Sequence, residues 1–554
     1  MHVLDPRKED AERLRILTLL LATTALFACT LGFDFVFDDH LVILKDPLVV
    51  SPASLLDVFA SRVRVAAVTL FYYRPLITIL YRFDWALWGL NPAGYHLTNL
   101  LWHLSAVLLV YLVGRRTIGM AAAWLGALCF ALLPAHVEAI AWVQGRVDLV
   151  STTLALLALL ALLRSREEAG WKGSRWVVLA SMAFFAALLA KESVVVLPIL
   201  WMLWEIAEIG NGDGRSWVGV AGRLGPLLAA VLVYGLIRIW ALEGALGFPV
   251  DFHPVFVRIL AGVTAFGEYT RLLVAPSLGL KFLPVFTVGE RLGTLAFGLL
   301  ALVTLGGIAC ATWISCRKVF PWVIWTPIAL LPPMGLLLYA PAASRGFLTA
   351  ERFTYFPSVG WCLLLGWLAH QVLRGVSPAT FKWVAAVVGS VFIGYAALTG
   401  LRLQPWSDPI KYYRAVQAQA DVPAPLRAYA HNDAGRIFLE RGQFEQARQE
   451  FLAALRFEPQ YAEPHNNLGV LEIQAGEPAK AVPWLVTAVR LDPAFTTAYG
   501  NLARAYEAVG DIPGARRAYE SGLRLDPSSS WLRSGLARVS DVPLDSGDTF
   551  KGRR

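Results

Sequence analysis

Along the chain, long uncharged apolar runs alternate with short segments in which charge is concentrated. A helix that crosses a bilayer needs roughly 20 predominantly apolar residues, fewer when its ends snorkel. Eleven runs fit: about 16–33, 97–114, 117–135, 149–163, 176–190, 193–207, 224–242, 292–316, 319–340, 355–373 and 383–402. Two intervening segments, 34–96 and 243–291, are too long to be mere connectors. The first mixes aromatic, apolar and charged residues, as in Phe71-Tyr72-Tyr73-Arg74 and Tyr81-Arg82-Phe83-Asp84-Trp85. That mixture predicts helices lying in a membrane interface. In the second, the apolar stretch Ile259 to Gly267 is flanked by Arg258, Glu268 and Arg271, which argues against a crossing there.

After Leu401 the hydropathy collapses and a period of 34 residues begins. It relates Gly442, Gly476 and Gly510; Ala447, Ala481 and Ala515; Phe451, Leu485 and Tyr519; and Pro459, Pro493 and Pro527. Helix-turn-helix units of this length, with Gly at the turn, small Ala in the second helix and Pro at the end, are tetratricopeptide repeats. The expected fold class is therefore all-α: a polytopic bundle of about eleven transmembrane helices, then a tetratricopeptide-repeat solenoid. The expected division is a tail over 1–15, a membrane domain over 16–402, a linker or half-repeat cap over 403–427, three repeats over 428–529 and a tail over 530–554.

Composition agrees with a membrane protein, since 56% of the residues are hydrophobic and only 16% are charged. The net charge of +8 comes from basic residues clustered in short loops, which suits bilayer orientation. No basic-aromatic stripe suggests nucleic acid. The cationic segments Arg7 to Arg15, Arg115-Arg116, Arg164 to Arg175, Arg215 to Arg223, Arg317-Lys318 and Arg374 to Lys382 alternate as inside loops. That places 34–96, 136–148, 243–291, 341–354 and the repeats outside. The five cysteines form no CxxC pair, so a metal knuckle or disulfide framework is not expected. The bulky Phe27 before Cys29, and the apolar run beyond it, favour an uncleaved first span over a signal peptide.

Polar residues at span mouths are costly unless they face water and act. Four constellations fall at the outer face: Asp38-Asp39; His136 and Glu138 with Gln144-Gly145-Arg146-Val147-Asp148; Lys191-Glu192; and Glu351-Arg352-Phe353-Thr354-Tyr355. These residue types suit transfer of a sugar from a polyprenyl phosphate to a hydroxyl. A carboxylate takes the hydroxyl proton, and cations hold the departing phosphate, for which the planar fork of Arg is apt. Asp38 or Asp39 is then the base, with Arg146, Arg352, Lys191 and Arg74 as the phosphate clamp. His136, Glu138, Glu351, His96 and Tyr355 would line the cavity or orient the acceptor. A divalent metal on Asp38, Asp39, His136 and Glu138 stays open, although a spacing of two is poor for ligands on one helix. Plainer readings also stand. Asp38-Asp39 could cap a helix, and Lys191-Glu192 could be a structural ion pair.

In order, these stretches with Tyr73-Arg74-Pro75-Leu76, Gly94-Tyr95-His96-Leu97-Thr98-Asn99 and Glu351-Arg352-Phe353-Thr354-Tyr355-Phe356-Pro357-Ser358 resemble the transmembrane-and-tetratricopeptide protein O-mannosyltransferases, the TMTC family. The resemblance covers most of the membrane part, and the repeats match the family's architecture. It implies a GT-C glycosyltransferase fold, a catalytic acidic pair in the first outer loop matching Asp38-Asp39, a polyprenyl-phosphate sugar donor and a protein hydroxyl acceptor. Arg146 and Arg352 match recurring basic positions. Pro134-Ala135-His136-Val137-Glu138 departs from the commoner Pro-Val-His-Thr-Glu, Phe353 and Phe356 replace aliphatics, and three repeats are few.

The leading expectation is inverting transfer of a hexose, mannose foremost, to Ser or Thr of an exported protein held by the repeats. The expected setting is the bacterial inner membrane with the site on the periplasmic, or lumenal, side. A non-enzymatic scaffold is the alternative. A transporter fits less well, since the charges cluster at one edge and no inverted repeat is evident.

Overall fold

The computed structural model describes residues 6–44, 46–50, 54–60, 63–65, 68–168, 170–209, 217–242, 255–276, 285–286, 292–339, 347–348, 350–419 and 422–540. It divides into two compact units, Met1–Asp408 and Pro409–Arg554. In the first unit, α1 (Pro6–Phe27) leads to the short helices α2 (Pro47–Val50) and α3 (Leu55–Ala60), the strands β1 (Val63–Val65) and β2 (Val68–Tyr72), and α4 (Pro75–Trp88). Then come α5 (Pro92–Thr117), α6 (Met120–Leu132), the one-turn α7 (Val137–Ala141), α8 (Arg146–Glu167), α9 (Gly170–Ala190), α10 (Leu197–Ile209) and α11 (Trp217–Ala241). The unit continues through α12 (Val255–Val274), β3 (Val285–Phe286), α13 (Leu292–Ser315), α14 (Phe320–Tyr339), β4 (Phe347–Leu348), α15 (Ser358–Gly375) and α16 (Pro378–Leu403).

Each of the eleven apolar runs is a helix. Among the described residues, seven helices are long and apolar enough to cross a membrane, and α6 with the segment Pro134–Ala141 makes an eighth candidate bent by 51°. The other three runs correspond to α10, α14 and α15. Proline explains the bend: Pro134 has no N–H to continue the ladder and forces Leu133 into extended geometry (φ −65°, ψ 120°). Capping starts are equally local. The Asn91 side chain accepts from Ala93 N ahead of Pro92, and Ser377 accepts from Thr380 N ahead of Pro378.

Burial grades the helices. The apolar stretch of α8 is 83% buried within the protein, against 6% for α16 and 11% for α13. The protein therefore surrounds α8, whereas α13 and α16 present their apolar faces outward, as lipid-facing helices do. Helices α6 and α15 cross where only glycine fits: a Cβ on Gly366 would lie 2.3 Å from the backbone N of Gly126. Such small-residue crossings let membrane helices pack backbone to backbone.

One expectation for the connecting segments changes. Phe71-Tyr72 lie not in a helix but on β2, antiparallel to β1. The run of Val, Thr and aromatic residues over 63–72 favours strand over helix. Helix α12 is not among the membrane-crossing candidates, as expected, and Ala265, Phe266, Tyr269 and Leu272 bury one face against α13 and α14. Much of 243–291 otherwise lies outside the described residues.

The second unit holds α17 (Pro409–Gln417), α18 (Ala424–Glu440), α19 (Phe444–Phe457), α20 (Ala462–Gln474), α21 (Pro478–Leu491), α22 (Thr496–Val509), α23 (Ile512–Leu525) and α24 (Ser530–Ser540). Three antiparallel helix pairs turn at Gly442, Gly476 and Gly510, with φ of 73°, 78° and 91° that only glycine adopts without cost. Ala447, Ala481 and Ala515, with Phe451, Leu485 and Tyr519, are fully buried between the helices. Asparagines tie successive pairs together: Asn467 Nδ2 donates to Asn432 Oδ1 and Asn501 Nδ2 to Asn466 Oδ1, each at 2.9 Å. Helix α24 closes the stack with Leu532 and Val539. The tail over 541–554 lies outside the described residues.

Candidate functional site

The two aspartates differ in environment. Phe35 is buried in a core with Tyr81, Tyr95 and Val143, and Val36 is fully buried, which anchors the segment after α1. Phe37 then takes a left-handed backbone (φ 57°), which no other non-glycine among the described residues does. That conformation is costly for an aromatic residue. Asp39 is fully buried and accepts hydrogen bonds from Val36 N at 3.1 Å and Gln144 N at 3.2 Å. Its carboxylate thus ties the first outer segment to the loop ahead of α8. Burial, then the charge of Asp38, pushes the Asp39 carboxyl well above its usual range. Asp38 is only half-buried. Asp39 is thus fully buried and held by backbone donors, while Asp38 beside it is less buried.

Arg146 stands where α8 begins and is fully buried. Its Nη1 pairs with Asp84 of α4, Nε donates to Asn99 Oδ1 at 2.8 Å, and Nη2 donates to the Tyr95 carbonyl at 2.9 Å. The guanidinium also lies 4.9 Å from the Tyr81 ring centre. The sequence suggests a phosphate ligand at Arg146; in the structure each of its three guanidinium nitrogens has an internal partner. A charge so buried is tolerated because it is paired and hydrogen-bonded.

The other expected cations gather at the same end of the bundle. Lys191 is buried, pairs with Asp148 of α8, and sits 4.7 Å from the Phe353 ring. Burial pulls its ammonium down in pKa, while Asp148 raises it. Arg74 donates to Glu192 at 3.3 Å, and Arg238 of α11 approaches the same carboxylate at 4.0 Å. Burial raises the Glu192 carboxyl, but Arg74 and Arg238 outweigh it and hold it at about 2. Lys191 and Glu192 are thus not partners of each other, as an ion-pair reading of the dipeptide would have them.

Arg352 is clasped by Glu138, whose Oε1 accepts from Nη1 and whose Oε2 accepts from the Arg352 backbone N at 3.0 Å. The guanidinium lies 4.7 Å from the Trp142 ring, and the Trp142 ring lies 5.6 Å from that of Phe37. An edge-to-face aromatic contact therefore joins Arg352, through Trp142, to the residue before Asp38. The neighbouring Glu351 pairs in turn with Arg402 at the end of α16, both buried.

The expected cavity-lining residues are interior. His136 Nε2 lies 2.8 Å from Ser358 Oγ, and His103 Nδ1 lies 2.7 Å from the Tyr355 hydroxyl. The His136 and Tyr355 rings pack 4.5 Å apart, and His96 is buried against Phe33. The structure does not gather Asp38, Asp39, His136 and Glu138 around one point, because His136 faces Ser358 and Glu138 holds Arg352. Among the described residues, no three His, Cys, Asp or Glu are placed to hold an ion. Sequence reading missed Asp84, Arg238 and Arg402. Arg238 and Arg402 carry a usable signal, each being a charge inside or ending an apolar run.

Residues 435–476 match the family described as TPR repeat, and 496–539 match that described as tetratricopeptide repeat. Protein O-mannosyl-transferase Tmtc3 of Drosophila melanogaster is 25% identical over 70% of this chain and 48% of its own length. The protein O-mannosyl-transferase F38B6.6 of Caenorhabditis elegans is 24% identical over 82% of this chain and 64% of its own. Protein O-mannosyl-transferase TMTC4 of Mus musculus is 26% identical over 75% of this chain and 63% of its own. The chain spans about half to under two-thirds of the length of these relatives. Among solved structures, ArnT from Cupriavidus metallidurans, determined with undecaprenyl phosphate, aligns at 16% identity and a TM-score of 0.40, over 95% of this chain and 87% of its own. Along most of its length the chain is similar in sequence to proteins named protein O-mannosyl-transferases, and its C-terminal part matches tetratricopeptide repeats.

Proposed function

We propose that the chain is a membrane glycosyltransferase that moves a hexose, mannose, from a polyprenyl phosphate to a Ser or Thr hydroxyl of a protein held by the repeats. The relatives' names support the class of reaction. One observation carries the site. The half-buried Asp38 sits beside a fully buried Asp39 and is joined through Phe37 and Trp142 to the Arg352 guanidinium. Asp38 takes the proton of the acceptor hydroxyl as its oxygen bonds to the anomeric carbon. The bond from that carbon to the phosphate oxygen breaks, and polyprenyl phosphate leaves with the electron pair, inverting the centre. Arg352, Arg74 and Lys191 stabilise the growing phosphate charge, which requires them to loosen from Glu138, Glu192 and Asp148. Arg146 has no part in this beyond holding the loop. The reading places the site and the repeats on the periplasmic face of a bacterial inner membrane, supported by the cationic loops at the opposite end.

The test is transfer from radiolabelled polyprenyl-phosphate mannose by the purified chain. Asp38→Asn is expected to lower the rate about 10²–10⁴-fold while leaving the gel-filtration profile unchanged. A fully active variant would remove Asp38 from the chemistry.

A further inference from the structure

A second feature lies at the end of the bundle remote from Asp38. Between α1, α6, α15 and α16 is a groove of about 500 Å³ whose apolar lining includes Leu14, Leu125, Leu373 and Phe381. Arg15, Arg374 and His370 lie at its edge, and no carboxylate is among its lining residues. Along α1, roughly 18 Å of helix rise separates Arg15 from Phe27, so the groove is far from the aspartate pair. Of the three carboxylates of α1, Glu9 pairs with Arg13, Glu12 pairs with Arg115, and Asp10 is exposed and is not among the groove's lining residues. Neither Arg15 nor Arg374 has a carboxylate partner among the described residues. The groove is held open by a fixed contact, since Trp124 Nε1 donates to Thr18 Oγ1 at 3.1 Å and pins α6 to α1.

We propose that this groove binds an anionic phospholipid from the bilayer leaflet at that end. Charge complementarity decides the occupant. Two guanidiniums beside an apolar lining match a phosphodiester continuous with acyl chains, whereas a protein segment would have to supply its own anion at this depth. The apolar lining opens to the lipid-facing surface of α16, whose Phe381, Trp383 and Val387 are exposed. The headgroup phosphate accepts from Arg15 and Arg374, and the first methylenes lie along Leu373 and Phe381. The site bridges the first and last membrane helices of the unit and is independent of the proposed transfer chemistry.

Native mass spectrometry of the purified full chain tests this, with phosphatidylglycerol and phosphatidylcholine of identical acyl chains as probes. Phosphatidylglycerol is expected to be retained about tenfold over phosphatidylcholine, as two cations near an anionic headgroup allow. Arg15→Gln with Arg374→Gln is expected to bring the two to near parity. Leu373→Trp keeps both charges and fills the groove, and is expected to lose the bound lipid. Lys172→Gln with Lys318→Gln, two exposed cations outside the groove lining, is expected to retain the preference. The proposal fails if the unmodified chain shows no preference, if the double Arg variant or the Trp variant keeps it, or if the control pair loses it equally. Displacement of the lipid by millimolar inorganic phosphate would also overturn it, since a free anion would then suffice.

Discussion

Arg146 and Asp38 show how differently charged residues at a membrane edge can be used. Arg146 is enclosed and paired, so its worth is structural. Arg146→Gln is expected to cost about 3–5 kcal/mol by leaving Asp84 buried without its cation. A thermal scan in detergent should show a clear fall in midpoint, and an unchanged midpoint would contradict the enclosed geometry. The sequence placed Arg146 among phosphate ligands because it sits in a polar run at a helix mouth. Its internal partners are remote along the chain: Asp84 and Asn99 are 62 and 47 residues away. Nothing local reveals that they converge. Asp38-Asp39 was legible as a pair, because two adjacent carboxylates at the end of an apolar run are too costly to stand there idle. The difference in their surroundings was not, since Asp39 is held by the backbone N–H groups of Val36 and Gln144.

At the level of elements, the helices were legible because apolar runs of this length have one solution in a bilayer. The repeats were legible because their 34-residue period repeats the same small and large residues. The strand pair over 63–72 was hidden by its aromatic content, which suits an interfacial helix as well. Helix pairing leaves a weaker trace in sequence than helix formation. The close crossing of α6 and α15 rests on Gly126 and Gly366, two glycines 240 residues apart with no motif between them. Gly366→Val would drive methyl groups into the backbone of α6, where no flexible side chain can yield. An overpacked contact of this kind is expected to cost about 1–3 kcal/mol or more. Yield of folded protein and thermal midpoint in detergent should both fall, while Gly375→Val, at an open position, should leave them unchanged.

For the whole molecule, the arrangement predicts a sidedness that labelling can read. In a background without native cysteines, Asp34→Cys and Lys480→Cys are expected to react with an impermeant maleimide added to intact cells, and Lys382→Cys only after permeabilisation. Asp34, Lys480 and Lys382 are the positions used because the first two are exposed and the third lies in a cationic inside segment. Labelling of Asp34→Cys without Lys480→Cys would mean that α12 also crosses, reversing everything after it. The burial gradient fits a bundle organised about α8, whose first residues, Arg146 and Asp148, hold Asp84 and Lys191.

The two ion pairs at Glu351-Arg352 have a geometric consequence. Adjacent residues of opposite sign each find an opposite charge, Glu351 at Arg402 and Arg352 at Glu138. Sliding this strip of chain by one residue would set carboxylate against carboxylate or guanidinium against guanidinium. The dipeptide thus works as a key with two teeth: it admits one register, and in that register alone Arg352 comes to rest on Trp142.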